Sequence, residues 1–223
     1  MQEMKTKRLH IHPMTDDAMQ ALIAAEQDES LRLAYVQMLQ GGQTDPTNRL
    51  WYVAWQACLP DGTPVGDLCF KGPPVHGAVE LGYGVLPAYR GCGYAKEMVG
   101  ALIGWAFAQP KVYFVQAETE AENLASQRVL HHFGFVPDGE GVEGHRYRLD
   151  KPAPNWLGTL MMLGLSLGVA LSTFHGQLGL GAGLGMLCGT AAGLILDDCD
   201  KRERAKCLAL LAAKRAEQHR ASR

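Results

Sequence analysis

The chain changes character near residue 151, and this change limits what it can fold into. Residues 1–150 mix charged, polar and apolar residues, as a folded domain does. Beyond a proline-containing stretch, the runs 156–174 and 178–196 contain no charged residue. The sequence therefore predicts four parts: a domain at 1–150, a linker at 151–155, a helical hairpin at 156–196 and a basic helical tail at 197–223.

The two uncharged runs have the length of membrane-spanning helices, since ~20 residues cross a bilayer. Small residues recur every four positions: Gly164, Gly168, Ser172 and Gly176, then Gly181, Gly185, Gly189 and Gly193. This spacing places them on one helix face, where two backbones can approach closely. In water each glycine would cost a helix about 1 kcal/mol relative to alanine. We expect a glycine-zipper membrane anchor. A buried hairpin in a soluble homo-oligomer and a pore of many hairpins are the alternatives.

Basic residues at the ends of the hairpin predict its orientation. Lys151 precedes the first run, and four basic residues between 201 and 206 follow the second. Because Lys and Arg favour the cytoplasmic side, the protein should lie on the cytoplasmic face of a membrane. Both termini would then be cytoplasmic, with His175-Gly176-Gln177 on the far side. We expect the tail to lie on the membrane surface.

Charge and cysteine spacing narrow the possible partners. The first 150 residues are net acidic, so nothing indicates a nucleic acid as a partner. The six cysteines include no Cys-x-x-Cys pair, and no zinc-like spacing of Cys and His occurs. We therefore expect reduced cysteines and no metal.

Strand and helix periodicities alternate through the first 150 residues. We predict strands at 8–13, 51–58, 65–70, 79–86, 112–117, 135–136 and 146–149. We predict a first helix that is capped by Thr15-Asp16-Asp17 and places Met19, Leu22 and Ile23 on one face, and further helices near 29–40, 94–108 and 123–132. The second helix should stop at Gly41-Gly42. Strands interleaved with helices around one sheet indicate an α/β or α+β domain.

A glycine-rich turn joins a predicted strand to the helix at 94–108. Its residues are Arg90, Gly91, Cys92, Gly93, Tyr94 and Ala95. Such a turn places backbone N–H groups at a helix N-terminus, where unpaired donors and the helix dipole favour an anion. Gly91 and Gly93 can adopt positive φ, and Arg90 can add a charge-assisted contact. The turn indicates a phosphate site, although a tight turn that needs glycine would show the same pattern.

Three segments resemble the GNAT superfamily of acyltransferases. The turn is similar to that family's Gln/Arg-x-x-Gly-x-Gly/Ala motif, with Arg90, Gly93 and Ala95 in register. Residues 123–135 resemble its later signature, which begins Asn-x-x-Ala/Ser and ends in Gly-Phe. Residues 8–18 are similar to the branch that acetylates ribosomal-protein N-termini and small amines. The resemblance spans residues 8–149 and stops at the linker.

The resemblance implies an α+β fold whose mixed central sheet splits like a V between flanking helices. It also implies an N-acetyltransferase that moves an acetyl group from acetyl-CoA to a primary amine, either a protein N-terminus or a small molecule. The resemblance implies that Val85, Leu86 and Pro87 contact the pantetheine arm of CoA. It implies that the turn from Arg90 to Ala95 binds the pyrophosphate, with Cys92 only filling space in the turn. Asn123 and Ser126 would line the far side of the CoA. The Val85 or Leu86 N–H would stabilise the oxyanion.

Two acid–base roles follow from the chemistry, because an amine must lose a proton and a thiolate must gain one. Glu80 is the expected base, directly or through water, although a solvent-facing carboxylate would look the same. Many family members place a tyrosine where this chain has Leu130. Tyr83, His131 and His132 are the candidate substitutes, of which we take Tyr83 as the catalytic one; a structural role is the alternative for each. The alternative is a catalytically degenerate CoA-binding module that regulates or assembles at a membrane.

The acceptor site is expected to draw on the first two helices and the last strands. Four acidic residues there could attract a cationic amine: Glu26, Asp28, Glu29 and Glu143. The sequence leaves the acceptor open among a protein N-terminus, a polyamine, an amino acid and an aminoglycoside.

Overall fold

The computed structural model describes residues 3–173 and 178–221. They form two compact units, with the division between Lys151 and Pro152. This division falls at the start of the predicted linker. The predicted turn His175-Gly176-Gln177 lies outside the described residues.

The described residues of the first unit form an eight-stranded mixed sheet, four α-helices and two 3₁₀ helices, Pro46–Trp51 and Pro87–Tyr89. The elements are β1 (Met4–Lys5), β2 (His10–Pro13), α1 (Asp16–Ala25), α2 (Glu29–Thr44), β3 (Trp55–Cys58), β4 (Pro64–Phe70), β5 (Ala78–Val85), α3 (Tyr94–Ala108), β6 (Phe114–Thr119), α4 (Leu124–His132), β7 (Val136–Glu140) and β8 (His145–Asp150). The strand order is β1-β2-β3-β4-β5-β6-β8-β7, and only β5 and β6 run parallel.

The sheet splits between β5 and β6. Their parallel pairing runs from Ala78 opposite Phe114 to Glu80 opposite Gln116 and goes no further. Beyond that point β5 follows β4 as far as Val85, while β6 follows β8. The mixed, V-split sheet predicted from the family resemblance is therefore confirmed, and the split exposes one edge of β5.

Two apolar clusters hold the helices onto the sheet. The larger one contains the buried residues of α3 together with an aromatic group formed by Trp51, Trp55, Phe70 and Trp105. The smaller one joins α1 and α2 to the strands through Met19, Tyr35 and Met38. Burial of these side chains holds α3 against the sheet and so positions the glycine-rich turn that precedes the helix.

The prediction that α2 stops at Gly41-Gly42 is wrong, because the helix continues to Thr44. A Cβ on Gly41 would collide with the aromatic ring of Tyr52. Glycine is therefore needed at that position for close packing and not as a stop signal. The predicted strand at 51–58 is likewise shorter, since residues 46–51 form the 3₁₀ helix.

The second unit is a hairpin of α5 (Trp156–Thr173) and α6 (Leu178–Ala221). Its glycine faces meet each other: Gly164 lies against Gly185, and Gly168 lies against Gly181. A Cβ on any of these four residues would collide with backbone of the opposite helix. The two glycine stripes therefore pack against each other within one chain.

Both helices are long and apolar enough to cross a membrane, and few of their apolar side chains are buried. The described residues of the predicted helical tail belong to α6, which continues past Leu196 to Ala221. Ion pairs one turn apart support this continuity, from Asp198 to Arg202 at 2.7 Å and from Asp200 to Arg204 at 2.6 Å.

Candidate active site

A cavity of about 640 Å³ opens where β5 and β6 separate. Its volume is typical of a small-molecule site. Nine residues predicted from the sequence line it: Tyr83, Val85, Arg90, Gly91, Gly93, Tyr94, Ala95, Asn123 and Ser126. Four other predicted residues are not among the described residues that line the cavity: Glu80, Leu86, Pro87 and Cys92.

The glycine-rich turn leaves the N-terminus of α3 open to this cavity. Gly91 has a φ of 77° and Gly93 a φ of 83°, the left-handed region that glycine adopts most readily. Gly93 occupies the N-cap position, and no side chain there accepts a bond from the first N–H groups of the helix. Those donors and the helix dipole can therefore serve an anion bound at the cavity wall.

Basic side chains surround this end of the cavity. The Nε of Arg90 donates to the carbonyl of Val85 at 3.2 Å. Lys96 and Arg128 also line the cavity, and neither was predicted from the sequence. Lys96, on the first turn of α3, could have been found from its position three residues after Gly93.

Arg8 supports the turn from outside the cavity. Its Nη1 donates to the carbonyl of Cys92 at 3.1 Å, and its Nε lies 2.5 Å from Glu97 Oε1. Its guanidinium stacks 4.5 Å from the ring centroid of Tyr94. Arg8 therefore orders the turn, and a separation of more than 80 residues left no local signal for this role.

The register of β5 decides which backbone groups reach the cavity. The Leu86 N–H donates to the carbonyl of Val65, and the Lys71 N–H donates to that of Glu80. In an antiparallel pair these bonds alternate with outward-facing positions. The N–H of Val85 therefore points away from β4, towards the space that β6 has left. Of the two oxyanion donors predicted from the family resemblance, Leu86 is already engaged and Val85 is directed into the cavity.

Tyr83 links the strand to α4 inside the cavity. Its hydroxyl lies 2.8 Å from Ser126 Oγ, and the Ser126 N–H donates to Asn123 Oδ1 at 3.0 Å. Asn123 is thus the N-cap of α4 as well as a cavity residue. Burial raises the pKa of the Tyr83 hydroxyl, and this outweighs the opposing hydrogen bond with Ser126. The hydroxyl therefore remains protonated at neutral pH and can donate a proton.

The other two candidate proton donors, His131 and His132, face elsewhere. Leu130, at the position where many family members have a tyrosine, is fully buried in the core. His131 packs edge-on against Tyr147, and His132 packs against Phe133. Both histidines are exposed, and neither is among the cavity residues in the described chain.

Glu80 lies on the opposite face of β5 from Tyr83, because side chains alternate along a strand. Its Oε1 is 2.5 Å from Lys71 Nζ, which is also 2.8 Å from Glu143 Oε1. The carboxylates of Glu80, Glu118 and Glu143 converge, with oxygen atoms within 4.8 Å of one another. Lys71 neutralises part of this charge, so Glu80 must release the ammonium or act through water to accept a proton.

The acidic residues expected at the acceptor site have mostly structural partners. Glu26 accepts from two backbone N–H groups at the end of α1, and Asp28 caps α2. Glu29 lies 3.5 Å from Arg32, and Glu143 contacts Lys71.

Comparison with known proteins identifies the family. A model of the acetyltransferase (GNAT) domain matches residues 6–136. An uncharacterized N-acetyltransferase of Bacillus subtilis, YjdG, is 34% identical over 80 residues, which is 35% of this chain and 48% of that protein. The match thus spans about half the length of this relative.

Solved structures share the fold of the first unit. A ribosomal L7/L12 alpha-N-protein acetyltransferase in complex with coenzyme A has a TM-score of 0.54 at 15% identity, over 67% of this chain and 98% of that one. A spermidine N-acetyltransferase variant from Vibrio cholerae has a TM-score of 0.52 at 10% identity, over 65% and 95%.

The family match covers more than half of the chain, and it coincides with the split sheet and the glycine-rich turn. The enzyme class predicted from the sequence, an acyltransferase, and its co-substrate, acetyl-CoA, agree with this match. The chain belongs to the GNAT family of acetyltransferases, which use acetyl-CoA.

Proposed function

We propose that this protein transfers an acetyl group from acetyl-CoA to a primary amine and is held at a membrane by its C-terminal hairpin. One observation carries the first part: the uncapped N-terminus of α3 and the free edge of β5 meet in one cavity of about 640 Å³. An anion-binding helix end beside an unpaired strand edge suits a pyrophosphate joined to an extended amide-containing arm.

The cavity residues have distinct roles in this proposal. The N–H groups around Gly93, Tyr94 and Ala95, with Gly91 and Arg90, bind the pyrophosphate, and Cys92 fills the turn. The edge of β5, which ends at Val85, binds the pantetheine arm together with the following Leu86 and Pro87. Asn123 and Ser126 form the opposite wall of the cavity. The basic residues Lys96 and Arg128 add positive charge for the phosphates.

The proposed reaction begins when the neutral amine attacks the thioester carbonyl. The Val85 N–H stabilises the oxyanion that forms. Glu80 receives the proton of the amine through water, since Lys71 binds its carboxylate. Collapse of the intermediate breaks the carbon–sulfur bond, and Tyr83 donates its proton to the departing thiolate.

The acceptor is proposed to be a protein N-terminus or a small amine. The two structural neighbours named above act on these two classes by their names, a ribosomal protein and spermidine. Turnover of acetyl-CoA should therefore be measured with spermidine, an aminoglycoside, free amino acids and peptides carrying the N-termini of ribosomal proteins. Acetylation of at least one supports the enzyme. Tight CoA binding without turnover of any of them would favour a catalytically degenerate module.

Replacing Arg90 with glutamate tests the proposed phosphate site. The change removes a charge-assisted donor and adds a repelling carboxylate, so the affinity for acetyl-CoA should fall at least ~100-fold in calorimetry. The exposed side chain of Arg90 leaves the fold intact. Arg32→Glu, on the surface of α2, is the matched charge reversal and should bind acetyl-CoA normally. Equal affinities in both variants would contradict the assignment of the turn.

The membrane part rests on the outer surface of the hairpin. Its exposed leucines, methionines and isoleucine include Met162, Leu163, Leu167, Leu171, Leu184, Leu187 and Ile195. With the glycine faces packed inside, lipid is the proposed cover for these side chains, and the cytoplasmic orientation rests on the basic residues at the ends. Alkaline carbonate extraction decides: retention in the pellet supports spanning helices, and release as a soluble oligomer would refute them.

A further inference from the structure

The face of the sheet opposite α3 carries a stretch of β5 without side chains. Gly82 and Gly84 point to this face, while Tyr83 points into the cavity. On the neighbouring strand Cys69 lies opposite Gly82, and Asp67 lies opposite Gly84. A Cβ on Gly84 would be 3.3 Å from Asp67 Oδ1, and a Cβ on Gly82 would be 3.3 Å from Cys69 Sγ. These residues are partly exposed, so this strip of β5, bordered by Asp67 and Cys69, reaches the protein surface; we call the strip the groove.

Asp67 differs from the other acidic residues of this face. Glu80 and Glu143 contact Lys71, Glu118 contacts Arg146, and Asp138 contacts Arg148. None of the ion pairs formed by the described residues includes Asp67. Its Oδ2 accepts a hydrogen bond from the hydroxyl of Tyr35 at 3.1 Å, and its Oδ1 lies over Gly84. One carboxylate oxygen is therefore directed to the groove.

The surroundings of Asp67 would favour a cation. Burial raises the pKa of the Asp67 carboxyl, the hydrogen bond from Tyr35 opposes this, and the nearby Glu26 adds to the rise. Burial also raises the pKa of the neighbouring Cys69 thiol to about 12, so that this thiol is neutral. A carboxyl held beside another acid, with no basic partner, gains most from a positively charged ligand.

The groove adjoins the proposed reaction centre. Gly84 forms its floor and also lines the CoA cavity, so one strand of backbone separates Asp67 from that cavity. The edge of β5 near Val85 is the point at which an acceptor on this face could reach a thioester in the split. The four acidic residues predicted for the acceptor from the sequence did not include Asp67, because its isolation depends on long-range packing.

We propose that Asp67 binds the ammonium group of the acceptor and so selects cationic primary amines. An ammonium can donate one N–H to Asp67 Oδ1 while Oδ2 keeps its bond from the Tyr35 hydroxyl. The bound ammonium loses one proton to solvent water before the neutral amine attacks, and the second proton passes through water to Glu80 as proposed above. Because Gly82 and Gly84 carry no side chains, an unbranched chain or a peptide N-terminus is the kind of acceptor that could approach Asp67 here. This inference rests on the acetyl transfer proposed above, and it assigns the acceptor's charge and the residue that recognises it.

Asp67→Asn is the appropriate test, because the amide oxygen of asparagine can still accept the bond from Tyr35. Spermidine and a peptide with a free N-terminus are titrated separately into the complex of each variant with CoA. Asp67→Asn should weaken binding of whichever probe the wild type binds by at least ~10-fold. Its affinity for CoA and its melting temperature should remain unchanged. Asp61→Asn, in the exposed turn before β4, is the matched control, because its amide oxygen can still accept the bond from the Thr63 N–H. It should bind the probe as the wild type does.

The pH dependence separates ligand binding from a structural role. Binding of the ammonium by the wild type should weaken as the pH falls through the raised pKa of Asp67, whereas Asp67→Asn should show no such limb. The other ionisable groups facing Asp67 are Tyr35 and Cys69, which stay neutral there, and Glu26. Glu26→Gln therefore has to retain the limb.

Three outcomes would overturn the inference: Asp67→Asn binds the probe as tightly as the wild type, it retains the acidic limb, or the wild type binds neither probe. Failure of the proposed function gives a different result, in which binding of a probe depends on Asp67 but no amine is acetylated. Acetylation that is unaffected in Asp67→Asn would leave the proposed function in place and remove this role of Asp67.

Discussion

Replacing Gly93 with alanine should destabilise the first unit and weaken the binding of acetyl-CoA. Gly93 caps α3 with a φ of 83°. That region costs an L-residue about 1–2 kcal/mol. The nearest atom to an added Cβ would be Arg8 Nη2 at 3.4 Å, so the backbone conformation and not crowding supplies most of the cost. With an m-value of about 2 kcal/mol/M in urea, the unfolding midpoint should fall by roughly 0.5–1 M.

Tryptophan fluorescence can follow this transition selectively. Three of the four tryptophans, Trp51, Trp55 and Trp105, lie in the core of the first unit. Trp156 belongs to the second unit, and a Trp156→Phe background removes its signal. Calorimetry with acetyl-CoA on the same variants measures the second effect, because the Cβ also narrows the approach of a phosphate to the turn.

Gly104→Ala is the matched control, since it introduces the same methyl group into the same helix. Gly104 has ordinary helical φ, and an added Cβ meets no atom within 4 Å. Its replacement should stabilise the unit by roughly 0.5–1 kcal/mol through helix propensity alone. A Gly93→Ala variant as stable as the wild type would refute the strained cap. Unchanged affinity for acetyl-CoA would refute the phosphate site at this turn.

Two further changes test other parts of the molecule. Tyr83→Phe removes the hydroxyl that lies 2.8 Å from Ser126 Oγ. The kcat should fall about 10²–10⁴-fold, while the affinity for acetyl-CoA is retained. A variant with the kcat of the wild type would exclude Tyr83 as the proton donor. Gly168→Leu should separate the hairpin helices, because Gly168 packs on the backbone of Gly181, and the second unit should become sensitive to protease in detergent micelles. Gly183→Leu, where nothing lies within 4 Å, should remain resistant; equal sensitivity of the two variants would contradict the observed packing.

Local signals in the sequence were sufficient to predict the parts of the site that are close in the chain. The apolar spacing of α3 and the glycines before it predicted both the helix at 94–108 and the turn that opens it, as observed. The N-cap Thr15 also holds the start of α1, with its side chain accepting from the Ala18 N–H. In each case the residues that make the feature lie within one or two turns of one another.

Features set by distant contacts were missed. The sequence predicts a helix stop at Gly41, but the helix continues, and the ring of Tyr52 occupies the space that a side chain at Gly41 would need. Arg8 reaches the turn from a loop more than 80 residues away. The sequence shows a boundary between hairpin and tail after Leu196, yet α6 is unbroken there, with Asp198 and Asp200 paired to Arg202 and Arg204.

The location of acidic partners was also beyond local inference. The sequence made Glu80 the expected base without showing that Lys71 binds it, since the pair forms across β4 and β5. The same applies to Asp67, which looks like an ordinary strand residue until its register against Gly84 is known. Strand register is set by the packing of whole faces, which single positions do not reveal.

A crystal structure of the protein with CoA would show whether the glycine-rich turn and the edge of β5 bind the co-substrate. We expect pyrophosphate oxygens at ~3 Å from the backbone N–H groups of Gly93, Tyr94 or Ala95. We also expect the pantetheine arm along the free edge of β5, with its sulfur on the side of Tyr83. CoA bound outside the split sheet, or a pyrophosphate that makes no contact with the start of α3, would contradict this assignment.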